Sequence, residues 1–276
     1  MYEIIKKRTL SENVHEYVVF APRVAKHARA GQFIILRTFE DSERVPFTIC
    51  DSDAEKGTVA ILVQTVGEAT KELAGLNEGD SLTDFVGPLG KPTDLTEFHK
   101  ILLVGGGIGG AVIRPQAKAL KAAGKSVTSV LGARTKELLV YENELFETSE
   151  ALFVCTDDGS AGKKGFVTDC VKELLERENH GFDCVVAVGP LGMMRAVCKL
   201  TEAFGVHTVV SMNSLMVDGT GMCGCCRVTV GGVVKYACVD GPEFDGHKVD
   251  FDEAINRARS FREIEDEHNC RLKASI

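Results

Sequence analysis

Tryptophan is absent from the 276-residue chain, and since no amino-acid side chain absorbs visible light, any visible colour must come from a bound group. No apolar run approaches the roughly 20 residues that a membrane-spanning helix needs. The opening stretch, MYEIIKKRTL, also lacks the apolar core of a signal peptide. These absences lead to the expectation of a cytoplasmic protein with no membrane partner. Surplus positive charge is missing too. With 32 Lys and Arg against 40 Asp and Glu, the formal net charge is −8, which argues against nucleic acid as a partner. Of the ten cysteines, six are scattered singly, without the paired framework of a secreted scaffold, which implies a reducing compartment. A hydrophobic content of 44% and a charged content of 26% describe an ordinary globular chain, long enough for two domains and a small appendage.

The other four cysteines lie between Met216 and Cys238, in MVDGTGMCGCCRVTVGGVVKYAC. Packing does not explain three cysteines within four residues of a glycine-rich loop. A plant-type [2Fe–2S] cluster takes ligands spaced C-x4-C-x2-C, with a fourth further on. Cys223 and Cys226 have the x2 spacing, Asp218 stands at the x4 position, and Cys238 follows a short hairpin turned at Gly231-Gly232. Gly219, Gly221 and Gly224 would supply the positive-φ positions that such a loop needs. A zinc site on the same cysteines competes with this reading. On spacing alone, Asp218 is equally well an ordinary Asp-Gly turn residue.

Before residue 99 the pattern is of short β-type runs, EIIKKRTL, HEYVVFA, GQFIILRTF, GTVAILVQTV and DSLTDFVGPLG, which predict an antiparallel barrel over 1–98. Two of its segments look chemical. Arg44-Val45-Pro46-Phe47-Thr48 puts a cation, an aromatic ring and a hydroxyl on one extended stretch, and Gly67-Glu68-Ala69-Thr70 opens a helix whose N-terminus suits an anion. From Lys100 the period changes: an all-apolar strand, a turn of glycines at 105–110 and an amphipathic helix ending at Gly124 predict a parallel α/β domain over 99–210. Gly107, Ile108 and Gly109 lie where backbone approaches a pyrophosphate. Gly132 and Arg134, Asp157 and Asp158, and Gly189, Pro190 and Met193 follow three further strands at the same crevice. A loop domain over 211–250 and a charged helical tail over 251–276 complete the division.

The segment Arg44–Thr48 resembles the Arg-x-[Tyr/Phe]-[Ser/Thr] flavin motif of the ferredoxin–NADP reductase superfamily, and Gly189-Pro190 with Met193 resembles its Gly-Pro-x-x-Met signature. The resemblance implies FAD on the barrel. Arg44 would meet the pyrophosphate, Pro46, Phe47 and Thr48 would lie by the flavin, and Gly67, Ala69 and Thr70 would hold phosphate. It implies a pyridine nucleotide in the crevice, NADH rather than NADPH. The order barrel, sheet, cluster loop is similar to that of the electron-transfer subunits of dihydroorotate dehydrogenases. Within that branch the loop resembles most closely the small subunits of NADH-dependent reduced ferredoxin:NADP oxidoreductases. The dihydroorotate-type subunits carry Cys where Asp218 stands, so the resemblance makes Asp218 a cluster ligand with Cys223, Cys226 and Cys238. It implies a heterodimer with a larger iron–sulfur flavoprotein subunit that exchanges electrons with ferredoxin and NADP(H) by electron bifurcation. A dihydroorotate dehydrogenase subunit, a stand-alone flavin reductase and a zinc-binding regulatory module are the alternatives.

Overall fold

The computed structural model describes residues 2–178 and 180–260. The first part is an antiparallel sheet of β1 (Tyr2–Ser11), β2 (Val14–Phe20), β3 (Phe33–Arg37), β4 (Val45–Asp53), β5 (Thr58–Gln64), β6 (Ser81–Leu82) and β7 (Asp84–Leu89), in the order β6-β1-β2-β5-β4-β3-β7. Its edge strands, β6 and β7, are separated in sequence by Thr83 alone, whose N–H donates to the carbonyls of Arg37 (3.1 Å) and Thr38 (3.2 Å). The chain thus steps from one edge to the other, and the sheet curls into a nearly closed barrel. Ile4, Tyr17, Val19, Ile34, Leu36 and Ile61 fill its interior. Two helices flank it, α1 (Pro22–His27) and α2 (Glu68–Gly75).

The second part is doubly wound. Strands β8 (Lys100–Gly106), β9 (Ser126–Ala133), β10 (Ala151–Thr156), β11 (Lys163–Lys164), β12 (Cys184–Val188) and β13 (His207–Ser211) form a parallel sheet in the order β11-β10-β9-β8-β12-β13. Helices α3 (Gly110–Ala122) and α4 (Glu142–Thr148) cover one face, and α5 (Val167–Leu175) and α6 (Leu191–Ala203) cover the other. The all-apolar run of β8 follows from this double cover. Ile101 and Leu103 pack with Ile113 and Leu145, whereas Leu102 and Val104 pack with Val171 and Val197. The strand order reverses between β8 and β12, which makes the crevice at their C-terminal ends the ligand position of this topology.

The C-terminal part begins with the cysteine loop and a hairpin of β14 (Arg227–Val230) and β15 (Val233–Tyr236). Its turn residues Gly231 and Gly232 have φ of 58° and 79°, as a two-residue primed turn requires. The sequence predicts loop up to residue 250 and a charged helical tail from 251. Instead, β16 (Glu243–Asp245) returns to the nucleotide sheet and pairs antiparallel with β13, Ser211 opposite Glu243. It satisfies the backbone groups of an edge that β13 would otherwise leave open. Helix α7 (Phe251–Ala258) is capped by Asp250, which accepts from the Glu253 N–H at 2.9 Å. It docks on the body through buried Phe251 and an Arg195–Asp252 ion pair of 2.9 Å. The remainder of the tail expected over 251–276, with Cys270, lies outside the described residues. Among the described residues no helix is long and apolar enough to cross a membrane.

Candidate functional site

Barrel and sheet meet around one cavity of about 970 Å³. Strand β4 supplies Val45, Pro46, Phe47 and Thr48, and α2 supplies Thr70. The opposite wall comes from the strand ends of the nucleotide sheet. Gly107, Ile108 and Gly109 follow β8, Gly132 ends β9 with Arg134 just beyond, Asp157 follows β10, and Gly189, Pro190 and Met193 follow β12. Arg44, Gly67, Ala69 and Asp158 are not among the wall residues.

The wall is shaped to leave room for a ligand at the glycine turn. Gly107 has φ of 58°, and a Cβ there would meet nothing within 4 Å, so the turn offers bare backbone toward the cavity. Its neighbours are glycines for another reason. A Cβ on Gly106 would collide with Met193, and one on Gly109 with the carbonyl of Val188. These two allow the β8 and β12 loops to close on each other.

Other side chains are used within the protein. The Thr70 hydroxyl accepts from the N–H groups of Val66 (2.9 Å) and Gly67 (3.0 Å) and donates to the Gly67 carbonyl (2.9 Å), so it fixes the turn that starts α2. Asp158 accepts from the N–H and hydroxyl of Ser160 at 2.9 and 2.6 Å. Those bonds hold its carboxyl below the usual range. Arg44 donates from Nε to the carbonyl of Val217 at 2.8 Å, and its Nη1 lies 3.5 Å from Asp84. It therefore ties the barrel to the start of the cysteine loop.

In that loop Gly219, Gly221 and Gly224 have φ of 80°, 82° and 69°. A Cβ on Gly219 would stand 2.7 Å from Leu89 and 2.9 Å from Ile35, so the loop lies directly against barrel strands β7 and β3. The ligand candidates form two pairs. Asp218 Oδ1 lies 3.1 Å from Cys223 Sγ, and Cys226 Sγ lies 3.2 Å from Cys238 Sγ. These spacings approach the edge of a metal tetrahedron, ~3.5 Å for sulfur and oxygen ligands. The other oxygen of Asp218 accepts from the Thr220 hydroxyl (2.7 Å) and the N–H groups of Met222 (3.0 Å) and Cys223 (3.3 Å). The Thr220 bond leads in holding this carboxyl well below the usual carboxylate range. One oxygen is thus saturated and the other faces Cys223. Burial, then the bond to Cys226, pushes the Cys238 thiol up to about 12.

Cys225 stands on the Cys223 side, its Sγ 4.0 Å from the Cys223 carbonyl, while Arg257 of α7 donates to the Cys225 carbonyl at 3.1 Å. Among the described residues no three His, Cys, Asp or Glu converge on a single metal position. Two pairs fit a two-iron cluster, in which each iron takes two protein ligands, and do not fit one four-coordinate zinc.

The sequence reading missed several wall residues. Ser211, Met212, Asn213 and Ser214 extend from the end of β13, and Phe166, 62% exposed, stands before α5. The first group was recoverable as one more strand end at the crevice. Phe166 carried no comparable signal.

The iron–sulfur cluster binding domain of dihydroorotate dehydrogenase B matches residues 213–250, and an oxidoreductase FAD-binding domain matches residues 1–93. The chain is 49% identical over 263 residues to a Thermotoga maritima homolog of the dihydroorotate dehydrogenase B (NAD(+)) electron transfer subunit, covering 95% of this chain and 92% of that one. It is 33% identical over 257 residues to the electron transfer subunit itself from Bacillus cereus, covering 87% and 94%. A solved NADH-dependent reduced ferredoxin–NADP oxidoreductase, studied for flavin-based electron bifurcation, superimposes with a TM-score of 0.92 at 47% identity, covering 99% of this chain and 98% of that one. Phthalate dioxygenase reductase, with a TM-score of 0.62 at 18% identity, covering 83% and 85%, shares the fold.

Proposed function

The chain belongs to the family of dihydroorotate dehydrogenase B electron-transfer subunits and their homologues, and from that premise we propose that it exchanges hydride between NAD(H) and FAD and delivers single electrons, through a [2Fe–2S] cluster, to a larger iron–sulfur flavoprotein subunit. The chain is an oxidoreductase flavoprotein with an FAD domain and an iron–sulfur domain, of a family that acts in electron transfer. The observation that carries this reading is that one cavity is walled by β4 on one side and by the β8, β9, β10 and β12 loops on the other. When bound there, FAD accepts two electrons from NADH and releases them one at a time.

The chain's own residues have distinct tasks in this reading. Val45 to Thr48 receive the flavin, with Phe47 offering an apolar ring and Thr48 a hydroxyl. Gly107 admits the dinucleotide backbone, and Met193 fixes the approach of the two loops beside it. Arg134 and Asp157, on neighbouring strand ends, meet the far end of NADH. A carboxylate there suits a free ribose hydroxyl and opposes a 2′-phosphate, which supports NADH over NADPH. Asp218 with Cys223, and Cys226 with Cys238, would hold the cluster as its ligands. Close to the ligand residues in sequence, Met222 is 85% exposed and Leu215 54%, apolar side chains that a larger subunit would cover.

The likeness to the bifurcating oxidoreductase supports a role linking NADH, NADPH and ferredoxin. The carboxylate at Asp218 favours it over a dihydroorotate dehydrogenase subunit. Anaerobically purified protein should show flavin bands over a broad brown background, both bleaching with NADH. Flavin bands without that background would make a stand-alone flavin reductase the better reading. The larger subunit that co-purifies separates the bifurcating enzyme from the dihydroorotate one.

A further inference from the structure

A group of charged side chains away from the cavity joins the barrel to the nucleotide domain, and neither the flavin reading nor the cluster reading uses it. At its centre is Arg114 of α3, whose side chain is 17% exposed. Its Nη2 donates to Asp51 of β4 at 2.9 Å, and its Nη1 lies 3.9 Å from Glu16 of β2. The guanidinium stands 4.7 Å from the ring centre of Tyr141, the residue that precedes α4. The Tyr141 hydroxyl donates to Glu16 at 2.6 Å. Lys118 of α3 reaches the other oxygen of Asp51 at 2.9 Å, and Arg8 of β1 reaches Glu144 of α4 at 3.5 Å. Except for the contact of Arg114 with Tyr141, which lies within the nucleotide domain, each of these contacts crosses from one domain to the other.

Position gives the group its meaning. Asp51 lies three residues beyond Thr48 on the strand that walls the flavin side of the cavity, and Arg114 lies one helical turn beyond Ala111, itself a wall residue after the glycine turn. Around them Val14, Cys50, Leu62, Ala111, Val140 and Tyr141 form a buried, mainly apolar cluster. Tyr141 holds φ of 59°, a left-handed backbone uncommon for a non-glycine residue. A charge pair in such surroundings adds little to stability but is strict about geometry, and Arg114 Nη1 has no hydrogen-bond partner that would let it settle elsewhere.

We propose that the Arg114–Asp51 pair, backed by Glu16 and Tyr141, is a positioning device that sets the separation between β4 and the start of α3, and so the approach of nicotinamide to flavin. It rests on the proposed reading of the cavity. Arg114 and Asp51 touch neither ligand and act through the elements that do.

The test uses the anaerobic holoprotein. Flavin reduction by NADH and by NADH deuterated at the transferred position is followed by rapid mixing. Binding of NAD+ is titrated separately, with the long-wavelength absorbance of nicotinamide stacked on flavin as a second readout. Asp51→Asn should lower the reduction rate by about tenfold or more, as loss of near-attack geometry does, and weaken the stacking band, while the Kd for NAD+ stays within about twofold. Arg114→Gln should do the same, and the double variant should fall short of the product of the two effects, since the neutral amides can bond to each other. Should Asp51→Asn lose its flavin, Arg114→Lys keeps a cation between the same carboxylates and takes the same measurements. Wild-type rates and an unchanged stacking band in these variants, with only the melting temperature lowered, would overturn the inference and leave the function standing. A wild-type flavin that NADH does not reduce would instead remove the function reading itself.

Discussion

The cluster loop draws its four candidate ligands from residues 218 to 238, whereas the cavity wall runs from Val14 to Pro242. The loop is a local device: three positive-φ glycines and one hairpin bring Cys238 back to Cys226 within a dozen residues. The cavity is a long-range one, closed only when two separately built sheets meet. Side chains in the loop should therefore have sharp, individual effects on metal content, and residues of the cavity graded effects on affinity and rate.

The largest effect expected is at the loop. Cys223→Ser, Cys226→Ser or Cys238→Ser should remove nearly all the iron and the brown absorbance while flavin remains, and Cys225→Ser should keep both. Iron assay and a visible spectrum decide this, and iron loss in Cys225→Ser would shift the ligand register. Asp218→Cys should keep the cluster but move its reduction potential, because a thiolate delocalises iron charge that a carboxylate does not. A redox titration giving the unaltered potential would exclude Asp218 from the ligand set.

Two glycine substitutions sharpen the contrast. Gly107→Ala forces a left-handed residue at a cost of ~1–2 kcal/mol and adds a methyl in open space at the cavity turn. The Kd for NAD+ should weaken by about tenfold with the iron content untouched. Gly219→Ala meets Leu89 and Ile35 at 2.7 and 2.9 Å and should do the reverse, costing iron and sparing NAD+ affinity. Equal effects of both on both ligands would dissolve the distinction between local and long-range construction.

The smallest effect concerns a third junction. Although Glu243 is only partly covered as a residue, its carboxyl end is enclosed, accepting from the Thr93 hydroxyl at 2.8 Å and from the Gln116 amide. Burial pushes it from 4.5 up to about 7, against those two hydrogen bonds. The folded protein keeps this proton longer than the unfolded chain does. The group therefore favours the fold most below about pH 4.5, and stability falls as the pH rises from there to about 7 and levels off above it. Glu243→Gln should flatten that slope and stabilise the protein at pH 8 by on the order of 1–3 kcal/mol, measured by urea unfolding across the range. The introduced amide can donate to Gln116 Oε1, a buried atom without a partner. A slope that survives the substitution would show that other groups produce it.

Much of this molecule is legible in its sequence. The apolar run of β8, covered on both faces, marked the parallel sheet, and the strands around Arg44–Thr48 marked the barrel. What escaped was what depends on meeting surfaces. The sequence marks Arg44 as a phosphate contact, but it carries no sign that its Nε also bonds the carbonyl of Val217, a residue 173 positions away. Phe166 gained a place in the cavity wall only from the packing of α5 beside β9.

The sequence by itself determined the cluster loop, because spacing along a short chain of glycines limits which atoms can reach one another, and it determined both sheets, because period and cover leave their mark on each strand. The tertiary structure alone decided how the sheets face each other across the cavity, how β16 closes the edge of β13, and how Arg114 comes between Asp51 and Glu16. Those outcomes depend on surfaces brought together over long loops, where many pairings are sterically open and only the packed whole selects one.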